Sequence, residues 1–286
     1  MRQRRHSPRV LAWRSLIAAL SDVAMASGVY PLVPHAVLAA ARLGREREEA
    51  GAAPDAPPFS RERSQIGIAL REWGVAVRMS AARPLGFLPL PGEGGHGPRP
   101  VIVLHGYAMN RANFRPLASR LAEAGLGPVL GFEYWTLGKT GAAAKRLAEY
   151  IEEVRVATEC DQVDLIGHSM GGVVGRYYVS LLGGDGVVAN LITIGSPHTG
   201  TDVSAVGLGR PAKELILGSS LMQRLEASPP PSRTRLTVIW SRADALVPGA
   251  RNARVTHADE LVFDDLGHLS LLTDSRVAAA IVERLG

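Results

Sequence analysis

Six short apolar runs punctuate the chain between residues 101 and 267, at 101–106, 127–134, 162–167, 188–197, 235–240 and 260–267. Segments of helical periodicity at 111–125, 141–158, 170–183 and 275–284 lie between and after them, and Asp274 stands ready to cap the last one. Runs this short and this continuously apolar suit strands buried on both faces. Strands that alternate with helices build a parallel sheet covered on both sides. The fold class read from this rhythm is α/β, with a mostly parallel central sheet, helices on both faces and a helical amino-terminal extension.

The rhythm also divides the chain. Residues 1–60 read as a helical extension and linker: 10–43 have a helical pattern broken near Pro31 and Pro34, and 51–60 are rich in Pro and Ala. Residues 61–98 read as a helix, 61–82, and a lead-in too rich in Pro and Gly for regular structure. Residues 99–286 form the main domain. Within it, 199–232 is long for a connection with little periodic pattern, which suggests a lid or pocket wall.

The net charge of +5 belongs to one end. Arg2, Arg4, Arg5, Arg9 and Arg14 precede the first acidic residue, Asp22. Take those five from the 32 basic residues and 27 remain, against 27 acidic ones. A nucleic-acid protein carries its basic face on the folded domain, so that class is excluded. The basic end suits peripheral contact with an anionic membrane surface, or no contact at all. Residues 1–26 contain Ala24-Met25-Ala26, which has the form of a cleavage site, but the apolar stretch before it holds Asp22 and borders Arg14. An amphipathic extension fits better than a secretory signal, and a cytoplasmic or membrane-associated location better than a secreted one. Cys160 is the sole cysteine, which excludes a disulfide framework and a Cys-rich metal site.

In sheets of this kind, ligands sit beyond the carboxyl ends of the strands. Ser169 stands there, at the end of 162–167 and the start of the next helix, within Gly167-His168-Ser169-Met170-Gly171. Glycine weakens helices and strands alike, so Gly167 and Gly171 require a backbone reason. A serine on a tight strand-to-helix turn leaves no room for side chains two positions either side of it. The helix start favours a nearby anion. The Met170 N–H is thus a candidate oxyanion donor, and the Tyr107 N–H, on the loop after the first run, is the second.

A serine nucleophile needs a base, and the base needs an acid to orient it. His268 directly follows the last apolar run. His198, also after a run, is its main rival. His257 precedes a run and belongs to the opposite edge, while His168 reads as a packed ring at the turn. Asp244 follows the run at 235–240, and Asp264 and Asp265 are weaker alternatives. The order Ser169, Asp244, His268 results. Trp135 and His198 are candidates for an acyl pocket.

The segments "VIVLHGY", "VDLIGHSMGG", "ITIGSPHTGT", "SRADALVP" and "LGHLSLL" together make residues 99–286 resemble the α/β-hydrolase family, and in particular bacterial lipases and esterases of the triacylglycerol-lipase type. The resemblance implies an α/β-hydrolase fold, a Ser169–Asp244–His268 triad, a small-molecule or lipid ester as substrate, and no cofactor. Transfer of the acyl group to another acceptor and thioester cleavage use the same triad and stay open. A non-catalytic, membrane-tethered interaction protein is the alternative from another class.

Two other motifs fail on context. "GEGGHG", 92–97, precedes a strand where a dinucleotide loop would follow one, and "GKT", 138–140, lacks the first P-loop glycine because Glu133 stands there. No pair with metal-ligand spacing occurs.

Overall fold

A computed structural model describes residues 62–202, 204 and 209–286. The extension and linker read at 1–60, and most of the apolar stretch 203–209 in the expected lid, lie outside the described residues. The chain enters through α1 (Glu62–Ala82), and the six expected strands follow as β1 (Val101–Leu104), β2 (Val129–Phe132), β3 (Val163–His168), β4 (Val188–Ile194), β5 (Arg235–Ser241) and β6 (Asp259–Phe263). They form one parallel sheet in the order β2-β1-β3-β4-β5-β6.

Helices cover both faces, which explains why β1 and β3 are buried at every position. Successive side chains on a strand point to opposite faces. Ile102, Leu104, Leu165, Leu191 and Val238 therefore pack with α3 (Thr140–Thr158) and α4 (Met170–Leu181). Val101, Val103, Ile166, Ile192 and Ile239 pack on the other face with α1, α2 (Arg115–Glu123), α8 (Ser270–Thr273) and α9 (Ser275–Leu285). Each fully buried Leu or Ile in these layers contributes about 1.5–3 kcal/mol. Asp274 caps α9 as expected, accepting from the Arg276 N–H at 2.9 Å. Among the described residues no helix is long and apolar enough to cross a membrane.

One connection departs from the sequence reading, and a second, read as irregular with a helix inside, holds two short ones. Residues 83–87, expected to be irregular, form a short 3-10 helix, with Pro84 pre-set for its first turn. The 199–232 segment holds the short helices α5 (Pro211–Glu214) and α6 (Ser220–Glu226). Leu215, Leu221, Met222 and Leu225 are buried in the α4-side core. Arg176 of α4 donates to the Leu225 carbonyl at 2.8 Å and fastens this part of the segment down. One more helix, α7 (Gly249–Ala253), lies between β5 and β6.

Candidate active site

Ser169 sits between the last residue of β3 and the first of α4, with φ 54° and ψ −124°. That conformation costs a non-glycine residue about 1–3 kcal/mol. Packing enforces it. A side-chain carbon on Gly167 would overlap the backbone of Gly171 and Gly172, and one on Gly171 would overlap the Leu104 carbonyl. The Ser169 N–H is held by the Ile194 carbonyl at 2.8 Å. His168 and Met170 are buried, whereas Ser169 is only half-buried. The turn therefore presents the serine to solvent at the carboxyl edge of the sheet.

The loops after β5 and β6 meet at the same edge. His268 Nδ1 donates to Asp244 Oδ2 at 2.8 Å, and both side chains are buried. The other carboxylate oxygen, Asp244 Oδ1, accepts from the Leu246 and Val247 N–H groups at 2.8 and 2.9 Å. A side-chain carbon on Gly195, just past β4, would lie 3.2 Å from Asp244 Oδ2 and 3.3 Å from His268 Nδ1. The pair thus sits over the end of the strand beside Ser169's own. Burial pushes the Asp244 carboxyl up, but the His268 charge and the hydrogen bonds it receives bring it below the usual carboxylate value. Burial pushes His268 down, and the Asp244 charge and hydrogen bond outweigh this and raise it above an ordinary imidazole.

His168 connects the serine turn to the histidine loop. Its Nε2 donates to the His268 carbonyl at 3.0 Å, and the two ring centroids are 4.8 Å apart. Burial, then the neighbouring His268 charge, push His168 down to about 3, so it stays neutral and acts as a brace.

The loop after β1 closes the other side of the serine. A side-chain carbon on Gly106 would lie 3.1 Å from Ser169 Cβ. The loop is held from several directions: Tyr134 Oη donates to the His105 carbonyl at 2.6 Å, the Ala108 N–H to Thr136 Oγ1 at 3.2 Å, and Arg83 Nη1 to the Ala108 carbonyl at 2.9 Å. His105 stacks on the Tyr134 ring with centroids 4.6 Å apart. Tyr107 follows Gly106 directly, and Met170 opens α4, whose first amides have no partner within the helix.

The remaining candidates separate clearly. Trp135, beyond β2, is 38% exposed and offers an apolar ring to solvent. His198 is 0% exposed, so it presents no surface to a pocket, which corrects its place among the acyl-pocket residues. Its Nε2 lies 2.9 Å from Thr193 Oγ1, and burial together with the nearby Arg176 charge hold it neutral. Asp264 and Asp265 form exposed ion pairs with Arg242 and Arg276. Among the described residues no cluster of three His, Cys, Asp or Glu side chains is arranged to hold a metal.

Sequence reasoning missed Glu72. This carboxylate of α1 is buried beneath the histidine loop and accepts from the Leu269 and Ser270 N–H groups. The available signal was an acidic residue on the same helical face as the buried Val75, Ala76 and Met79.

Residues 99–212 match the family described as the alpha/beta hydrolase fold. The match includes Ser169 and the loop after β1, and ends before Asp244 and His268. Two curated triacylglycerol lipases, from Pseudarthrobacter phenanthrenivorans and Burkholderia plantarii, are each 34% identical over 113 residues. The alignments cover 36% of this chain and 34% and 30% of those proteins, so the chain spans about a third of their length. A Bacillus licheniformis lipase in mature form superposes with a TM-score of 0.59 at 17% identity, covering 69% of this chain and 95% of that one. Aspergillus fumigatus lipase B gives 0.56 at 17% identity, covering 82% of this chain and 59% of that one. The fold of the described domain is the α/β-hydrolase fold.

Proposed function

We propose that this chain, an α/β hydrolase by fold with lipase- and esterase-like relatives, cleaves carboxylic esters through a covalent acyl-enzyme. The observation that carries the reading is the 2.8 Å bond from His268 Nδ1 to Asp244 Oδ2 at the sheet edge that also presents the strained Ser169 turn. With Nδ1 committed to Asp244, the Nε2 of neutral His268 is the basic nitrogen, as a general base requires.

Ser169 Oγ attacks the ester carbonyl while His268 Nε2 takes its proton. The imidazolium formed is stabilised by Asp244, which stays ionised. The Tyr107 and Met170 N–H groups hold the carbonyl oxygen as it becomes negative, and one such donor is worth about 3–4 kcal/mol. His268 then passes its proton to the leaving alkoxide, and the alcohol departs. Water, deprotonated by His268, attacks the acyl-serine, releases the acid and returns the proton to Ser169. The lipase names of the two curated relatives support medium-to-long acyl esters, acyl-glycerols among them, as the substrate class.

The test is hydrolysis of p-nitrophenyl esters across acyl chain lengths by the wild type and by Ser169→Ala. Wild-type turnover is expected, with loss of about five to six orders of magnitude in the folded variant. An unchanged rate in Ser169→Ala would exclude the acyl-serine, and an optimum at acetyl esters would exclude the long-chain class.

A further inference from the structure

Helix α1 lies ahead of the segment that matches the family. Its buried face nonetheless carries a carboxylate to the residues that follow His268. Glu72 is 4% exposed. Its Oε2 accepts from the Leu269 N–H at 2.8 Å and its Oε1 from the Ser270 N–H at 2.7 Å. Among the described residues no Lys or Arg side chain pairs with it. A carboxylate buried without a cation is costly, and here two backbone N–H donors offset part of that cost.

The fit is close on every side. A side-chain carbon on Gly267 would overlap the Glu72 carboxyl, so the backbone before His268 lies flush against it. The Gly267 N–H donates to Ser270 Oγ at 2.8 Å and closes the loop on itself. His168 Nε2 also holds the His268 carbonyl, at 3.0 Å.

We propose that Glu72 is a positioning residue of the hydrolytic site: it fixes the His268 loop through two backbone amides and sets a negative charge beside the imidazole, which makes α1 a working part of the catalytic unit. The inference rests on the reading of His268 as the general base. The groups facing His268 are the Asp244 carboxylate from the loop after β5, Glu72 from α1 and the neutral His168 ring from the serine turn. The Glu72 charge acts in the same direction as that of Asp244, favouring the imidazolium that forms during attack.

A purely structural cap would depend on the two hydrogen bonds and not on the charge. Glu72→Gln keeps the shape but removes both the charge and one of the two acceptors, so the pH midpoint, which answers to the charge, separates the two roles where the rate alone does not. In the full chain, kcat for the p-nitrophenyl ester is expected to fall about ten-fold with KM within about two-fold. The acid limb of kcat/KM should move to lower pH, because His268 loses an anionic neighbour. The same direction should appear in an NMR titration of the His268 ring in Ser169→Ala protein, with the resonance assigned by its loss in His268→Asn. An unmoved midpoint overturns the proposal, whether the rate is retained or is lost together with thermal stability. If the wild type hydrolyses no ester, the ester-hydrolase reading fails, and the titration alone decides whether Glu72 acts on the His268 ring. Should Glu72→Gln not fold, Glu72→Asp keeps the charge and shortens the reach. It should lower kcat about three-fold with the midpoint near that of wild type, and a wild-type kcat would overturn the proposal.

Discussion

Asp164 and Asp244 are both buried carboxylates tied to the same sheet, one near each edge. Asp164, near the amino end of β3, accepts from Arg99 Nε at 3.1 Å and from the Asn190 side chain and N–H at 2.7 and 3.2 Å. Asp244, past the carboxyl end of β5, accepts from His268 and two backbone amides. Yet their acidities move in opposite directions. Burial dominates at Asp164 and raises it, despite its partners. At Asp244 the buried imidazole and the amides outweigh burial and lower it. The difference lies in the partner. Arg99 is partly exposed, so water weakens its charge, whereas His268 is buried and meets the carboxylate in a low-dielectric setting. The amino edge uses its carboxylate to join strands. The carboxyl edge uses one to hold a titratable ring.

Three measurements would break or sharpen that contrast. The largest effect is expected from Asp244→Asn, which keeps the shape but favours the wrong His268 tautomer, and should lower kcat about 10⁴-fold. Its acid limb should also move to lower pH, since the raised His268 value depends on Asp244. The stability signs follow from linkage. Asp244, lowered on folding, contributes stability that is present above its unfolded value and lost as pH falls through its folded one. His268, raised on folding, contributes below its unfolded value and loses it as pH rises through its folded one. The stability gap between wild type and Asp244→Asn should therefore be widest between those limits. Denaturant melts across a pH series would measure it, and a gap that persisted in strong acid would contradict the ion pair.

Removal of the nucleophile aside, a middle-sized effect, on stability, is expected from Ser169→Gly. Relief of the backbone strain at φ 54° should raise stability by about 1 kcal/mol while hydrolysis is lost. A variant less stable than wild type would show that the turn is not strained. The smallest effect belongs to Asp164→Asn. Because folding already raises the Asp164 value, its ionised form is the disfavoured one, and a neutral amide should change stability at pH 7 by about 1 kcal/mol or less. Ester turnover should stay within about two-fold. A ten-fold loss of activity would mean that the two edges are coupled.

The strands were legible because buried parallel strands are short and apolar throughout, as "VIVLHG" and "QVDLIG" are. The serine turn was legible because Gly167 and Gly171 answer a local backbone demand. His268 was favoured over His198 by its place after the last run and by the "LGHLSLL" resemblance, but the contact that distinguishes the two rings is not local. Both follow strands, and the deciding fact is that one ring meets Asp244 and the other meets Thr193. The segment 199–232 reads as a lid or pocket wall from its length and its sparse periodic pattern, and only the fold shows that Leu215, Leu221 and Met222 within it are buried in the α4-side core.

Periodicity and turn chemistry, which act over a few residues, determined the α/β rhythm, the place of Ser169 and the order in which Asp244 and His268 follow it. Tertiary structure alone decided which ring the carboxylate grips, that His168 braces the loop, and that Glu72 reaches amides 197 and 198 positions further along the chain. The physical reason is range. A strand or a tight turn is stabilised by near neighbours in sequence, whereas a buried charge is tolerated only where the folded chain brings its partners from afar.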